Sequence, residues 1–260
     1  MTAPDLFDLL RRRTHARVAL GRAGDGLPTA PLLAFQMAHA RARDAVHGAL
    51  DVERLARDLA PLPAIHVRSA AGSRAVYLRR PDLGRRLAEG EAARLPQGPF
   101  DVALVIADGL SAVAAARHGP AVAHALARLL PELAFAPVVI ASQGRVAIGD
   151  DIAAAMNAEL AVTLIGERPG LSTADSLGAY LTFRARPGMR DSERNCVSNI
   201  HDQGLAPAVA AEKIAWLARE ALRLRLTGVA LKENAPVSAV AGPASGPLLE
   251  GAAAPGTAAP

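Results

Sequence analysis

Residues 102–109 read Val-Ala-Leu-Val-Ile-Ala-Asp-Gly. Six apolar positions, half of them β-branched, are cut off by an acid and a glycine. An unbroken run of this length suits a strand buried on both faces, which is the condition of a parallel sheet covered by helices. Two further runs follow the same form. Val138–Ala141 precedes Ser142-Gln143-Gly144-Arg145-Val146, and Leu160–Ile165 precedes Gly166-Glu167-Arg168-Pro169-Gly170. Helical stretches lie between them. Ser111 can cap a helix that ends at His118 before a C′ glycine, Gly119, with a second helix from Ala121 to Leu130. Asp150 and Asp151 stand where carboxylates cap and favour a helix running through Asn157. The alternation predicts an α/β fold, with a Rossmann-like parallel sheet.

Leu177–Arg184 alternates apolar and polar positions and suits a strand near an edge. The segment 191–199 is too polar for the core. Pro207 opens a long helix with Ala210, Ile214, Leu217, Ala221 and Leu224 on one face. On the N-terminal side, Asp5–Arg17 suggests a short basic helix, and Gly21, Gly24, Gly26 and Pro28 form a breaker cluster. Thr29–Leu59 reads as one or two helices. Ala64–Val67 and Ala75–Leu78, split by Gly72 and Ser73, suggest a small hairpin. The expected division is a helical N-terminal region with that hairpin over 1–98, an α/β domain over 99–234, and a disordered Ala/Pro/Gly-rich tail over 235–260.

The 260 residues carry a net charge of +4, and aromatic residues make up only 3%. The core must therefore be built from Val, Leu, Ile and Ala. A pI near 9.9 invites a nucleic-acid reading, but the arginines are scattered among acids rather than drawn into one stripe, and no nucleic-acid partner is expected. The single cysteine excludes an intrachain disulfide and a multi-cysteine zinc site. No membrane span and no signal peptide can be drawn, so a cytoplasmic protein is expected. The histidines show no metal-ligand spacing.

In an open parallel sheet, ligands collect beyond the carboxyl ends of the strands. The three loops there mix glycine with hydrogen-bonding groups, and glycine lets backbone approach a ligand closely. Each loop is also ordinary turn chemistry. Glu167 could pair with Arg168 or accept hydrogen bonds from a ligand's amides or hydroxyls, and Val146 alone would be assigned to packing. A lone cysteine such as Cys196 is more often an inert hydrophobe than a nucleophile. No GxGxxG, phosphate loop or nucleophile elbow is present. On the residues alone, a stand-alone α/β module for a nucleotide-like ligand remains open.

Several segments, in order, carry a more specific signal: TxARVALGRAG from Thr14, HARARDAVH from His39, YLRRPDLGRRL from Tyr77, LVIADGLSA from Leu104, QGRVAIGDDI from Gln143, LIGERPGLS from Leu164, DSLGAY from Asp175, RNCVSNIH from Arg194 and LTGVALKEN from Leu226. Together they resemble the ethanolamine ammonia-lyase small (light) subunit from about Thr14 to Lys232. That resemblance implies a lyase in which adenosylcobalamin is held between this chain and a barrel-type large subunit. The large subunit would bind ethanolamine and carry the radical rearrangement to acetaldehyde and ammonia.

Carried over by motif, the cofactor contacts are Val146, Glu167 and Cys196, in an α/β cobalamin-binding domain over 99–234. No catalytic residue and no cobalt ligand are expected from this chain. It lacks the D-x-H-x-x-G pattern, so the cofactor's own benzimidazole is expected to stay on cobalt. A higher hetero-oligomer is implied. Many relatives carry a long N-terminal extension associated with bacterial microcompartments. Here the family-like segment begins by about Thr14, which argues against encapsulation.

Overall fold

A computed structural model describes residues 6–14 and 16–233; the tail expected over 235–260 lies outside them. The elements in order are α1 (Leu6–Arg13), α2 (Thr29–His47), α3 (Val52–Asp58), β1 (Ala64–Arg68), α4 (Arg74–Arg79), β2 (Phe100–Ala107) and α5 (Ala112–Leu129). They continue with β3 (Val138–Ser142), α6 (Ile148–Met156), β4 (Ala158–Gly166), β5 (Leu177–Phe183), β6 (Asn195–Ile200) and α7 (Pro207–Leu224). The protein is mixed α/β, with one six-stranded sheet in the order β1-β3-β2-β4-β5-β6.

The first four of those strands are parallel. β5 and β6 run antiparallel, each to its neighbour. The sheet is therefore mixed rather than wholly parallel. Strand direction follows from the connection, and the loop from Gly166 to Leu177 holds no helix that could cross over the sheet.

β2 lies between β3 and β4, and its side chains alternate between two cores. Val102, Leu104 and Ile106 face the helices α5 and α7, while Ala103, Val105 and Ala107 face α6. This alternation explains why the run had to be apolar throughout. Thr163 on β4 meets Gly149 on α6, where a Cβ would overlap its hydroxyl oxygen; the glycine lets helix and sheet approach closely.

Three local expectations are corrected. α5 continues through Gly119 and Pro120 as one helix. Gly119 serves packing rather than termination, since a Cβ there would stand 3.1 Å from Ile106 Cγ2. The hairpin is not formed. Ala64–Arg68 joins the main sheet beside β3, and Arg74–Arg79 is helical, with the Ser73 hydroxyl accepting the Val76 N–H at 3.4 Å. The segment 195–200, too polar for the core, forms the edge strand of the sheet. Asp150 and Asp151 stand in the first turn of α6, where carboxylates favour a helix, but do not cap it. Asp150 is paired with Arg194, and Asp151 accepts the Leu87 N–H at 3.1 Å.

β1 belongs to the sheet although it precedes the boundary expected at 98–99. Arg194 ties the outer sheet to α6 through two bonds to the Asp150 carboxylate, at 2.5 and 2.6 Å, with both side chains almost wholly buried. Among the described residues no helix is long and apolar enough to cross a membrane.

Candidate functional site

The connection from β2 to β3 passes through α5 on one face of the sheet, and that from β3 to β4 passes through α6 on the other. The loops at the carboxyl ends of β2 and β3 therefore diverge. They leave a crevice between them of the kind in which open α/β sheets bind ligands. Here it is an open depression of about 370 Å³. Gly109 and Leu110 line it from β2, Arg145 and Val146 from β3, and Gly166, Glu167 and Arg168 from β4, with Tyr77 and Tyr180 at its sides.

Asp108 braces the turn behind this lining. It is fully buried, and its carboxylate accepts the N–H groups of Gln143 and Gly144, each at 3.0 Å. Gln143 is held at φ +58°, a left-handed conformation a non-glycine residue seldom adopts. Burial pushes the Asp108 carboxyl above its ordinary range; the Gln143 amide, the Arg74 guanidinium and the Gly144 amide oppose that shift. Arg74 crosses from α4. It donates to Val46 O at 2.7 Å and to Gly109 O at 2.8 Å, and it lies over the Tyr77 ring at 4.8 Å. The loops after β2 and β4 touch directly. The Leu110 N–H donates to Gly166 O at 2.9 Å, and a Cβ on Gly166 would overlap the carbonyl oxygen of Ser111.

Glu167 is positioned from two directions. Its N–H donates to Ser176 O at 2.9 Å, and its carboxylate accepts the Ser176 hydroxyl at 2.5 Å. Gly178 gives the side chain room, since a Cβ there would stand 2.8 Å from Glu167 Oε1. Cys196 does not line the crevice itself. It pairs with Tyr180 across the β5–β6 ladder, and each of the two side chains shifts the other's ionisation.

Desolvation raises both acids. The Cys196 thiol is pushed up first by packing around the sulfur and also by the Glu167 charge, with Tyr180 opposing, although the residue keeps an exposed surface. The Tyr180 hydroxyl is pushed well above the ordinary phenol range, by burial first and then by Cys196 and Glu167. At neutral pH both groups therefore hold their protons and can donate.

The structure thus brings Val146 and Glu167 to one crevice, with Cys196 beside it through Tyr180. Sequence reasoning missed Tyr180, Tyr77 and Arg74. Tyr180 carried a signal, because in an alternating strand it falls on the face opposite Leu177, Ala179 and Leu181. Tyr77 and Arg74 were hidden inside the piece read as a hairpin. The arrangement offers apolar contacts from Leu110, Val146 and Ile165, hydrogen-bond donors and acceptors, and guanidinium groups. Among the described residues no cluster of three or more His, Cys, Asp or Glu is placed to hold a metal ion.

Comparison with known proteins matches residues 4–232 to the family model described as ethanolamine ammonia-lyase light chain (EutC). A protein of Bradyrhizobium diazoefficiens named ethanolamine ammonia-lyase small subunit is 55% identical over 236 residues, covering 86% of this chain and 89% of that protein. A protein of the same name from Azotobacter vinelandii is 50% identical over 248 residues, 92% of each. One from Rhodopseudomonas palustris is 52% identical over 237 residues, 88% of this chain and 91% of its own.

Proposed function

The chain belongs to the ethanolamine ammonia-lyase light-chain family, and from that premise we propose that it supplies one half of an adenosylcobalamin site completed by a large subunit. The two polypeptides together would convert ethanolamine to acetaldehyde and ammonia. The observation that carries this reading is the convergence of Val146, Glu167 and Tyr180 at one crevice at the carboxyl ends of the central strands, with Cys196 beside it as the strand partner of Tyr180.

The residues suit a corrinoid. Its ring is a broad, mostly apolar plate rimmed by amides, so it needs wide shallow contact and scattered hydrogen-bonding groups rather than a deep charged pocket. A depression of about 370 Å³ is on the scale of a drug-sized ligand and too small to enclose a corrin, which supports a second surface from the partner. When bound, adenosylcobalamin supplies an organic radical through homolysis of its cobalt–carbon bond.

Several residues of this chain would share in holding the group. Val146 offers apolar contact, and the Glu167 carboxylate accepts from amide N–H groups. Tyr180 and Cys196, both protonated, offer donors along the rim. Asp108 fixes the turn on which Val146 is carried. We assign neither a cobalt ligand nor a catalytic acid or base to this chain.

Mixing the purified chain with the large subunit and adenosylcobalamin tests the reading. Ethanolamine is expected to give acetaldehyde only when both polypeptides are present. Full activity from either one alone would contradict it.

A further inference from the structure

Arg145 and Arg168 are the charged crevice residues to which this reading gives no part, and of the two Arg145 is the one held in place. Its backbone N–H donates to Gly84 O at 2.7 Å. Its stem packs where Gly84 has no side chain, since a Cβ on Gly84 would stand 2.9 Å from Arg145 Cγ. Its guanidinium lies 6.0 Å from the centroid of the buried Tyr77 ring, and the Tyr77 hydroxyl is tied to Gly144 O at 3.2 Å. The side chain is therefore held at the crevice wall rather than waving in solvent.

The buried and half-buried charges nearby are engaged. Arg74 bonds to the carbonyls of Val46 and Gly109 and stands 3.6 Å from the Asp108 carboxylate. Arg194 is paired with Asp150, and the Glu167 carboxylate accepts the Ser176 hydroxyl. No carboxylate among the described residues lies within 4.0 Å of Arg145. Arg145 is only partly exposed, and its guanidinium, set beside the Tyr77 ring, has no anion to offset whatever hydration it loses. Its planar fork matches a phosphate oxygen pair. Arg168 also lines the crevice but is exposed.

A corrinoid's rim amides are neutral, and its one anionic group is the phosphodiester in the arm that carries the lower base. Resting on the cobalamin reading above, we propose that Arg145 binds that phosphodiester and so orients the cofactor's nucleotide arm on this chain.

The test uses the complex of this chain with the large subunit and three ligands: adenosylcobalamin, adenosylcobinamide phosphate and adenosylcobinamide. Dissociation constants are measured by absorbance titration for the unmodified complex and for Arg145→Gln, Arg145→Lys and Arg168→Gln. Arg145→Gln is expected to weaken the two phosphate-bearing ligands roughly ten- to hundredfold and to leave adenosylcobinamide within about twofold, which also reports an intact fold. Arg145→Lys is expected to recover part of the loss.

An equal loss for all three ligands, a loss confined to adenosylcobalamin, or a larger phosphate-dependent loss in Arg168→Gln would each overturn the assignment. Failure of the unmodified complex to bind any of the three would instead overturn the cobalamin reading itself.

Discussion

The Asp108 carboxylate receives the backbone N–H of Gly144 at 3.0 Å, so the end of β2 sets the turn after β3 that presents Val146. Its other oxygen holds the Gln143 amide in the same turn. Asp108→Asn replaces one acceptor by a donor facing an N–H and leaves a buried amide unsatisfied, a cost of about 1–3 kcal/mol. Chemical denaturation is expected to show that loss. Titration of the assembled complex is expected to show weaker adenosylcobalamin binding, and unchanged affinity would mean that the turn does not depend on this carboxylate.

Cys196 is the only cysteine, so thiol chemistry reports on one site. Its raised pKa leaves little thiolate at neutral pH. Iodoacetamide is therefore expected to alkylate the folded chain more slowly than the urea-unfolded chain at the same pH. Glu167→Gln removes a charge that raises the thiol's pKa and is expected to speed the reaction a fewfold. A slower reaction in that variant would contradict the coupling.

The loop tips were legible because a strand buried on both faces leaves no polar position, so Val102–Ala107 announces both itself and its end at Asp108. Val146 and Glu167 sit one short loop beyond such runs. Other features share a residue type with a different cause. Gly119 looks like a helix terminator but is a packing glycine against Ile106. The β-prone letters Val76 and Tyr77 are helical because Ser73 caps their first turn. Strand direction is not written in side-chain alternation, so Leu177–Phe183 could be read as a strand but not as an antiparallel one. Cys196 was reached only through the family resemblance. Its place on the site's face follows from its register with Tyr180, and the pairing of β5 with β6 could not be read from a segment as polar as 191–199.

His118 is only 2% exposed, and its Nε2 has no hydrogen-bond partner among the described residues, with Asp175 Oδ2 3.7 Å away. Burial lowers its pKa below 6.5, with Asp175 and Asp202 opposing. A depressed histidine favours the fold above its unfolded pKa, and the contribution is lost as pH falls through the folded value. The urea midpoint is therefore expected to drop from about pH 7.5 to about pH 5. His118→Gln is expected to flatten the slope. His66, also lowered chiefly by burial, should leave a residual of the same sign. An unchanged slope in the variant would remove His118 from the account.

Arg194 and Asp150 form a buried pair between β6 and α6, with side chains 2% and 1% exposed. Arg194→Leu strands the carboxylate and is expected to cost about 3–5 kcal/mol. Adding Asp150→Leu should recover part of that. A double variant no more stable than the single one in guanidinium denaturation would show that the loss lies elsewhere, for instance in the Thr182 and Met189 contacts of the same guanidinium.

The most direct test of the shared cofactor site is a structure of this chain with the large subunit and adenosylcobalamin bound. The account predicts the corrin in van der Waals contact with Val146 and a rim amide within hydrogen-bonding distance of the Glu167 carboxylate, with the large subunit covering the opposite side of the ring. A corrin seated wholly within the large subunit, touching neither residue, would contradict it.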